Sequence, residues 1–358
     1  MIVTTCLQYF LEEKMKKNLF LAMFTIVVAV NFITISCKKT ENSTSSGNTA
    51  SSSQNKAIAN RVNAWLKAVD DYDFEKIVPL FDSLTTDDIE FLTTEKAYPR
   101  EIFSYDLNAT GDGVVIKGIR MDAEMYPTVI VPKFIEDYPV VAITGFTING
   151  KPNLLTVVLP NTIKIIETYN HPLFSLYLHK INMPTSLEKL GGSVFAYTKL
   201  EGKIILPDSL VEIGASTFSN CTNITSVKFG NRIQTIVDYS FTDCSNLTEI
   251  QFSNSIKQIR YSAFQNTGLE NLVLPTNLEI LGGDAFRGCI SLITVAFPNT
   301  LKIIEGNSFL GCISLTDVTI PDGLTSLQWK SDSVFSGSGN MKLASRKKLQ
   351  DLGYSGRF

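Results

Sequence analysis

A repeat of 22 to 24 residues fills the sequence between residues 154 and 327, and it constrains the fold more than any other feature. Each copy carries a hydrophobic triplet, and the residue that follows the triplet serves as the anchor of the repeat. Successive anchors are 24, 23, 23, 23, 22, 23 and 23 residues apart. The eight anchors are Pro160, Pro184, Pro207, Gly230, Ser253, Pro275, Pro298 and Pro321. A period this regular predicts a solenoid, in which each coil packs on its neighbours and the stacked array folds as one unit.

Apolar residues occupy the same positions in every copy, as the layers of a continuous core would. They stand six, three and one residues before the anchor and three and six residues after it, where Leu327 completes the last column. Two of the columns lie two residues apart, the period of a strand with one face inward, which predicts a β-rich solenoid. Glu201 interrupts an apolar column, and we expect a local shift that turns Leu200 inward instead. An aromatic column eleven residues after the anchor consists of Phe195, Phe218, Phe241, Phe264, Phe286 and Phe309.

Two stretches show the complete pattern of the repeat, residues 204–221 and 272–289. The shared positions are Leu210, Ile213, Phe218 and Cys221 after Ile-Ile-Leu-Pro in the first, and Leu278, Leu281, Phe286 and Cys289 after Leu-Val-Leu-Pro in the second. Over about residues 113–335 the pattern resembles the BspA-like leucine-rich repeats of surface proteins from host-associated anaerobic bacteria. The resemblance implies a leucine-rich repeat solenoid. The chain lacks the asparagine ladder of the commoner leucine-rich repeats, so their horseshoe curvature is not expected. It also implies a role in binding, since members of the family bind host matrix proteins or other bacteria.

Residues 1–36 have the features of a secretory signal. Met15 is the expected start, Lys16 and Lys17 form a basic segment, and residues 19–35 are mostly apolar. The sequence Thr-Ile-Ser before Cys37 resembles the bacterial lipobox, which implies cleavage before Cys37 and attachment of lipid to its thiol. A signal peptide without lipidation and a retained membrane anchor are alternatives, because the apolar run is near the shortest length that spans a bilayer.

Four segments follow the signal. Residues 37–55 are rich in Ser, Thr and Asn and are expected to form a flexible tether. Residues 56–100 predict a small helical cap on the first coil, with a separate functional domain as an alternative. Residues 101–336 form the solenoid, and residues 337–358 are expected to close its far end with a short basic helix. The helical prediction rests on an apolar stripe of Ile58, Val62, Trp65, Leu66 and Val69.

The sequence offers little for catalysis. His171 and His179 are the two histidines, and we expect neither to be catalytic. No metalloprotease, nucleophile-elbow, phosphate-loop or dinucleotide motif occurs. The net charge of −3 becomes −4 when residues 1–36, with three basic and two acidic side chains, are removed, which gives no indication of nucleic-acid binding. We therefore expect no enzymatic activity, no cofactor and no metal.

Small residues fill two further columns. Gly191, Gly214 and Gly282 stand seven residues after their anchors and are expected in turns with positive φ. Fourteen residues after the anchor stand Cys221, Cys244, Cys289 and Cys312, with Thr198 and Thr267 in the same column. We interpret this column as buried small residues, because free cysteine packs as a small hydrophobe. Disulfides within the first and last cysteine pairs are an alternative in an exported protein, whereas a straight column does not surround a zinc ion.

The outward side chains of the first strand of each coil form a surface that we call the strand face. One of its columns is Thr156, Lys180, Lys203, Ser226, Glu249, Asn271, Thr294 and Asp317. The other is Val158, Asn182, Ile205, Lys228, Gln251, Val273, Ala296 and Thr319. An ordinary solvated sheet is one interpretation. The sharper one is a protein-binding face centred on Lys203, Ile205, Lys228, Glu249, Gln251, Asn271 and Val273, as solenoid surfaces often provide.

These features together predict a lipid-anchored protein of the cell envelope, exposed at the outer surface. We expect it to act as a protein-binding or adhesion module, with host matrix proteins or other bacterial surface proteins as partners. The membrane is expected to be contacted through the lipid anchor only. The alternative is an inward-facing envelope scaffold, or a lipoprotein that captures glycans or peptides.

Overall fold

A computed structural model of the 358-residue chain defines the fold. It describes residues 49–71, 73–97, 102–119, 128–145, 155–168, 177–324 and 326–358. The predicted signal sequence, Cys37 and His171 lie outside the described residues. The chain divides into two compact units, Met1–Lys56 and Ala57–Phe358, and the repeats belong to the second.

Three helices precede the solenoid: α1 (Thr49–Asp70), α2 (Phe74–Asp82) and α3 (Thr86–Glu95). Thr85 caps α3, because its hydroxyl accepts the N–H of Asp88 while its own N–H donates to the Asp88 carboxylate at 2.7 Å. Arg61 of α1 donates two hydrogen bonds, of 2.9 and 3.0 Å, to the same carboxylate. Burial raises the pKa of Asp88, but the hydrogen bonds from Arg61 and Thr85 outweigh it and leave the pKa lowered. The ionised carboxylate therefore ties α1 to α3.

The prediction of a flexible tether over residues 37–55 is wrong for its last seven residues, because α1 already begins at Thr49. Residues 49–55 contain neither glycine nor proline. They extend a helix whose apolar stripe lies further along the chain. Extending an existing helix costs much less than nucleating a new one, so a polar composition alone does not prevent it.

Each coil contributes two short strands. The front strands are β3 (Thr128–Ile130), β6 (Thr156–Val158), β8 (Lys180–Ile181), β10 (Gly202–Ile205), β12 (Ile224–Lys228), β14 (Glu249–Gln251), β16 (Asn271–Val273), β18 (Thr294–Ala296) and β20 (Asp317–Thr319). They are hydrogen-bonded as three sheets of three strands each, β3-β6-β8, β10-β12-β14 and β16-β18-β20, which together we call the front sheet. The back strands are β5 (Tyr138–Ile143), β7 (Ile165–Ile166), β9 (Lys189–Leu190), β11 (Glu212–Ile213), β13 (Thr235–Ile236), β15 (Gln258–Ile259), β17 (Ile280–Leu281), β19 (Ile303–Ile304) and β21 (Gln328–Trp329). Of these, the strands from β5 to β11 belong to one sheet and those from β13 to β21 to a second, and together we call them the back sheet. Neighbouring strands within each sheet are parallel.

The solenoid begins with a hairpin and ends with a helix. β1 (Phe103–Leu107) pairs antiparallel with β2 (Val114–Ile119), which lies parallel beside β5 of the back sheet. A two-residue strand, β4 (Phe134–Ile135), folds back antiparallel on β5. At the other end, helix α4 (Leu343–Asp351) follows the last coil, as the basic sequence of that segment predicts.

The inward columns form one continuous core, which confirms the predicted layers. The six predicted phenylalanines are fully buried and stacked, with ring centroids 5.1 to 5.6 Å apart. Phe335 extends the stack by one more ring at 5.3 Å from Phe309. The expected shift at Glu201 is also confirmed: Leu200 is buried, Glu201 is half-buried, and the pairing register changes between Gly202 and Lys203.

Two local predictions are wrong. Trp329, and not Leu327, pairs with Ile304 in the back sheet, because the last coil is longer than its predecessors after the anchor. The recurrent glycines do not have positive φ. A Cβ on Gly214 would lie 2.2 Å from a backbone nitrogen of the preceding coil, so glycine is required there by the close approach of two backbones.

Twelve of the described residues with positive φ form two other columns, nine and thirteen residues after the anchor. They are Ser193, Ser216, Tyr239, Ser262, Asp284 and Asn307 in the first, and Tyr197, Asn220, Asp243, Asn266, Gly288 and Gly311 in the second. Most carry short polar side chains, which tolerate the left-handed conformation better than branched apolar ones. These two columns bend the third side of every coil around the phenylalanine stack.

Candidate binding face

The predicted binding residues lie where the sequence places them, on the outward side of the front sheet. Lys203, Ile205, Lys228, Glu249, Gln251, Asn271 and Val273 are all exposed. Exposure reaches 54 % for Ile205 and 72 % for Val273, which are large fractions for aliphatic side chains. The strand register places Ile205, Lys228 and Gln251 side by side in one three-stranded sheet, while Val273 pairs with Ala296 in the next.

The first part of the strand face is covered, contrary to the prediction that all of it faces solvent. Thr156 and Val158 are fully buried, and Lys180 is only 6 % exposed. The helices α1–α3 lie on these positions. Their apolar residues form one cluster with the outward side chains of β3 and β6, composed of Val62, Trp65, Ala68, Val69, Ile77, Phe81, Ile89, Leu92, Ile130 and Val158. The helical cap is therefore seated on the face of the front sheet.

Polar contacts fix the helices on the first coils. Lys180 Nζ lies 2.8 Å from an Asp82 carboxylate oxygen at the end of α2, and it also donates to the carbonyl of Glu201 at 3.0 Å. Lys133 forms an ion pair with Glu90 of α3. The Lys133 N–H donates to the carbonyl of Thr93 at 3.0 Å. A lysine on the strand face thus pairs with an acidic helix.

The other end of the strand face is bounded by α4. Asp317 of β20 accepts hydrogen bonds from Ser345 Oγ at 2.6 Å and from Lys342 Nζ at 3.0 Å. The hydrogen bond from Ser345, followed by that from Lys342, lowers the pKa of Asp317. Ser345 Oγ also accepts the N–H of Val318 at 3.2 Å. The exposed window of the strand face therefore runs over six coils, from Lys203 to Thr319.

The back sheet differs from the strand face because several of its charges are paired with one another along the solenoid. Lys189 lies 3.1 Å from Glu167 and 3.8 Å from Glu212, and Glu167 gives the larger of the two contributions that raise the pKa of Lys189. Lys302 lies 2.6 Å from Glu279, and this pair lowers the pKa of Glu279. Exposed pairs of this kind contribute little to stability. These ion pairs leave fewer unpaired charges on the back sheet for contact with a partner protein.

The cysteine column is reduced and buried, as the first interpretation of the sequence predicts. Each thiol donates to the carbonyl of a phenylalanine in the preceding coil; the donor–acceptor pairs are Cys221 to Phe195 at 2.9 Å, Cys244 to Phe218 at 3.1 Å, Cys289 to Phe264 at 3.2 Å and Cys312 to Phe286 at 3.2 Å. Burial raises the pKa of the Cys221 and Cys289 thiols to about 11. Such thiols stay neutral, which suits hydrogen-bond donors and not nucleophiles.

The structure offers no catalytic arrangement around the one described histidine. His179 Nδ1 lies 3.2 Å from Glu201, and both side chains are partly exposed. Within the described ranges, no group of three or more His, Cys, Asp or Glu side chains is placed to hold a metal ion. A shallow depression of about 200 Å³ on the back sheet is lined by Val211, Glu212, Ile213, Arg232, Gln234, Thr235 and Val237. In the described part of the chain, no helix has the length and hydropathy needed to cross a membrane.

The front and back rows of parallel strands and the stacked phenylalanines define a leucine-rich repeat solenoid. The BspA type leucine rich repeat region matches the chain in six copies, over residues 141–267, 173–293 and 211–342. These ranges cover more than half of the chain, and the protein belongs to that family. Leucine-rich repeat solenoids of this type are generally non-catalytic scaffolds for binding proteins.

Two solved structures are similar to this chain, and the first of them supports the fold. A leucine rich cell surface protein from Faecalibacterium prausnitzii A2-165 has a TM-score of 0.50 and 18% identity, covering 73% of this chain and 98% of that chain. A leucine-rich repeat protein from Bacteroides ovatus ATCC 8483 has a TM-score of 0.36 and 20% identity, covering 68% of this chain and 81% of its own. A comparison with curated proteins finds no match.

Proposed function

We propose that this protein is a cell-surface lipoprotein that binds other proteins through the strand face between Lys203 and Thr319. The contrast between its two sheets carries the proposal. Lys203 and Lys228 project from the strand face without a carboxylate partner among the described residues. On the back sheet, by contrast, Lys189 and Lys302 are held by glutamates. Unpaired charge beside exposed Ile205 and Val273 suits a surface that a partner covers.

The attachment to the membrane rests on the sequence before Cys37, which we propose as the site of lipidation. The outward display is supported by the fold shared with a protein described as a cell surface protein. We infer that host matrix proteins or other bacterial surface proteins are the partners. Nucleic acid, metal and cofactor have no place in this proposal, and neither does catalysis.

Binding through this face should be distributed over many residues. Interface hot spots are most often Trp, Tyr or Arg side chains in desolvated central pockets, and the two outward columns between Lys203 and Thr319 contain none of these residue types. Single alanine changes at Lys228, Gln251 or Val273 are therefore expected to weaken binding by less than about 1 kcal/mol each. Reversing several charges together should abolish it.

Site-specific photo-crosslinking on intact cells tests the proposal. A benzophenone side chain replaces Lys228 on the strand face or, as the matched control, Lys257 on the back sheet. The proposal expects an adduct with an external protein at position 228 that disappears when Lys203→Glu and Glu249→Lys are added, and no such adduct at position 257. Equal adducts at both positions would contradict it. Protease treatment of the same cells distinguishes display from an inward-facing scaffold, because only a displayed protein is digested without lysis.

A further inference from the structure

The first coils show what kind of structure the strand face accepts. Ile130 and Val158 point outward from β3 and β6, as Ile205 does from β10, yet both are buried under helices. The covering surface is formed by the apolar sides of α1, α2 and α3, with Trp65, Phe81 and Leu92 among its residues. An amphipathic helix therefore fits the spacing of these outward side chains.

Charge accompanies this apolar contact. Residues 74–95, which contain α2 and α3, carry six acidic side chains and one basic side chain. Lys180 of the strand face meets Asp82 at 2.8 Å with its own side chain almost fully buried. The last residue of α2 is Asp82, and a cation near a helix C-terminus is also favoured by the helix dipole. On the strand face, the contact thus consists of an aliphatic side chain and a lysine, and both face an acidic amphipathic helix.

The same two kinds of side chain stand together on β10, where no other described residue buries them. Lys203 stands in the column of Lys180, and Ile205 stands in the column of Val158. Lys228 lies directly beside Ile205 in the parallel pairing of β10 and β12. The nearest acidic side chains on this side are engaged elsewhere: Glu201 contacts His179 at 3.2 Å, and Glu249 accepts a hydrogen bond from Gln251 at 2.6 Å.

We propose that Lys203, Ile205 and Lys228 form a docking site for an acidic amphipathic helix of a partner protein. The proposal rests on the proposed function and names the partner's chemistry. Addition of a partner strand at the far end of the front sheet is disfavoured, because α4 covers that edge through the hydrogen bond from Val318 N–H to Ser345 Oγ. Side-chain docking on the exposed face is the mode that the first coils already use.

A defined peptide tests the proposal with the full mature chain. The probe is a fluorescein-labelled, helix-stapled peptide with a leucine stripe flanked by glutamates. A scrambled peptide of the same composition and a peptide with lysines in place of the glutamates serve as controls. Fluorescence anisotropy gives the dissociation constants. The unsubstituted protein should bind the acidic helix at least tenfold more tightly than either control peptide.

Matched variants locate the site. Lys203→Glu with Lys228→Glu should weaken binding at least tenfold, and Lys203→Gln with Lys228→Gln should weaken it less. Lys257→Glu with Lys330→Glu changes the net charge equally at exposed positions directly beside strands β15 and β21 of the back sheet and should change the dissociation constant less than twofold. Circular dichroism of each variant checks that the solenoid is intact. An equal loss in the back-sheet variant, or equal binding of the scrambled peptide, would mean general charge attraction and overturn the proposal.

The peptide-binding experiment and the photo-crosslinking experiment can fail independently of each other. If no peptide binds while the adduct at position 228 still forms, the strand face binds a partner of another kind and only the helix proposal is overturned. If neither occurs, the proposed function is overturned with it.

Discussion

Alkaline pH should destabilise the solenoid through its column of buried thiols. Burial raises the pKa of Cys221 and Cys289 from the ordinary value of 9.0 to about 11, and their neutral S–H groups donate to phenylalanine carbonyls of the preceding coils. An unfolded chain ionises these thiols near pH 9, whereas the folded chain keeps them protonated. Stability is therefore full below about pH 9 and falls as the pH rises towards 11, because the folded state then binds more protons than the unfolded state.

The size of the effect follows from the two pKa values. With 9.0 in the unfolded state and about 11 in the folded state, one thiol costs about 1.4 kcal/mol of stability at pH 10. Cys221 and Cys289 together then cost about 2.7 kcal/mol at pH 10 and roughly twice that well above pH 11. Burial also raises the pKa of Cys244 and Cys312, so the loss for the whole column exceeds this figure.

A variant with all four cysteines changed to threonine isolates the effect. Threonine occupies the same column naturally, and Thr198 and Thr267 donate to the carbonyls of Phe195 and Phe264 at 2.8 and 3.0 Å. The variant thus keeps a hydrogen-bond donor of similar size that does not titrate. Urea unfolding followed by circular dichroism, from about pH 7 to 10.5 under reducing conditions, gives the stability of both proteins. Their difference removes the contribution of lysines and tyrosines that titrate in the same range.

The stability difference between the two proteins should change by at least about 2 kcal/mol between pH 7 and 10. A stability difference that does not change with pH would refute the argument. The thiols would then either ionise in the folded state or be oxidised to disulfides. Alkylation followed by mass spectrometry decides between these two causes, since cysteines in disulfides do not react.

Two further predictions follow from the core and from the N-terminus. Phe241→Ala removes a fully buried ring stacked between Phe218 and Phe264 at 5.1 and 5.4 Å, and it should lower the free energy of unfolding by about 3–5 kcal/mol. Lys228→Ala, on the exposed face, should change it by less than about 0.5 kcal/mol. Equal losses of stability in urea unfolding would contradict the assignment of Phe241 to the core and Lys228 to the surface. Cys37→Ala should leave the protein unprocessed or release it into the soluble fraction, as membrane fractionation and mass spectrometry would show, and unchanged membrane association at mature size would argue against lipidation.

The regular coils were predictable because their columns are set by one period. A buried phenylalanine every 22 or 23 residues leaves little freedom, so the positions from Phe195 to Phe309 and the exposure of Lys203 to Val273 are confirmed. The last coil was not predictable in this way. Its anchor, Pro321, is followed by a longer segment, and Leu327 fits the column by counting although Trp329 makes the pairing.

The position of the helical cap depends on a contact between residues far apart in sequence. A lysine in a strand usually indicates a solvent-exposed position. Lys180 is nevertheless buried, and its partner is Asp82, which lies 98 residues earlier in the sequence. A weaker signal was present in the neighbouring strands. Thr128–Ile130 and Thr156–Val158 contain no charged residue and are buried on both sides, the composition typical of a strand covered on two faces.

The position of the helical cap and the extent of the exposed window both follow from the composition of the strand face. The helices lie where the strand face is uncharged, at Val158 and Ile130, and they extend as far as the first lysine that can pair with them, Lys180. Beyond this point the face carries Lys203 and Lys228, which have no carboxylate partner in the described part of the chain. Six coils at about 4.8 Å per step leave roughly 24 Å between the first and last exposed strands. A helical partner of up to about 16 residues fits along this length at 1.5 Å per residue, and a longer one that lies along the solenoid axis would have to displace α2 or α4.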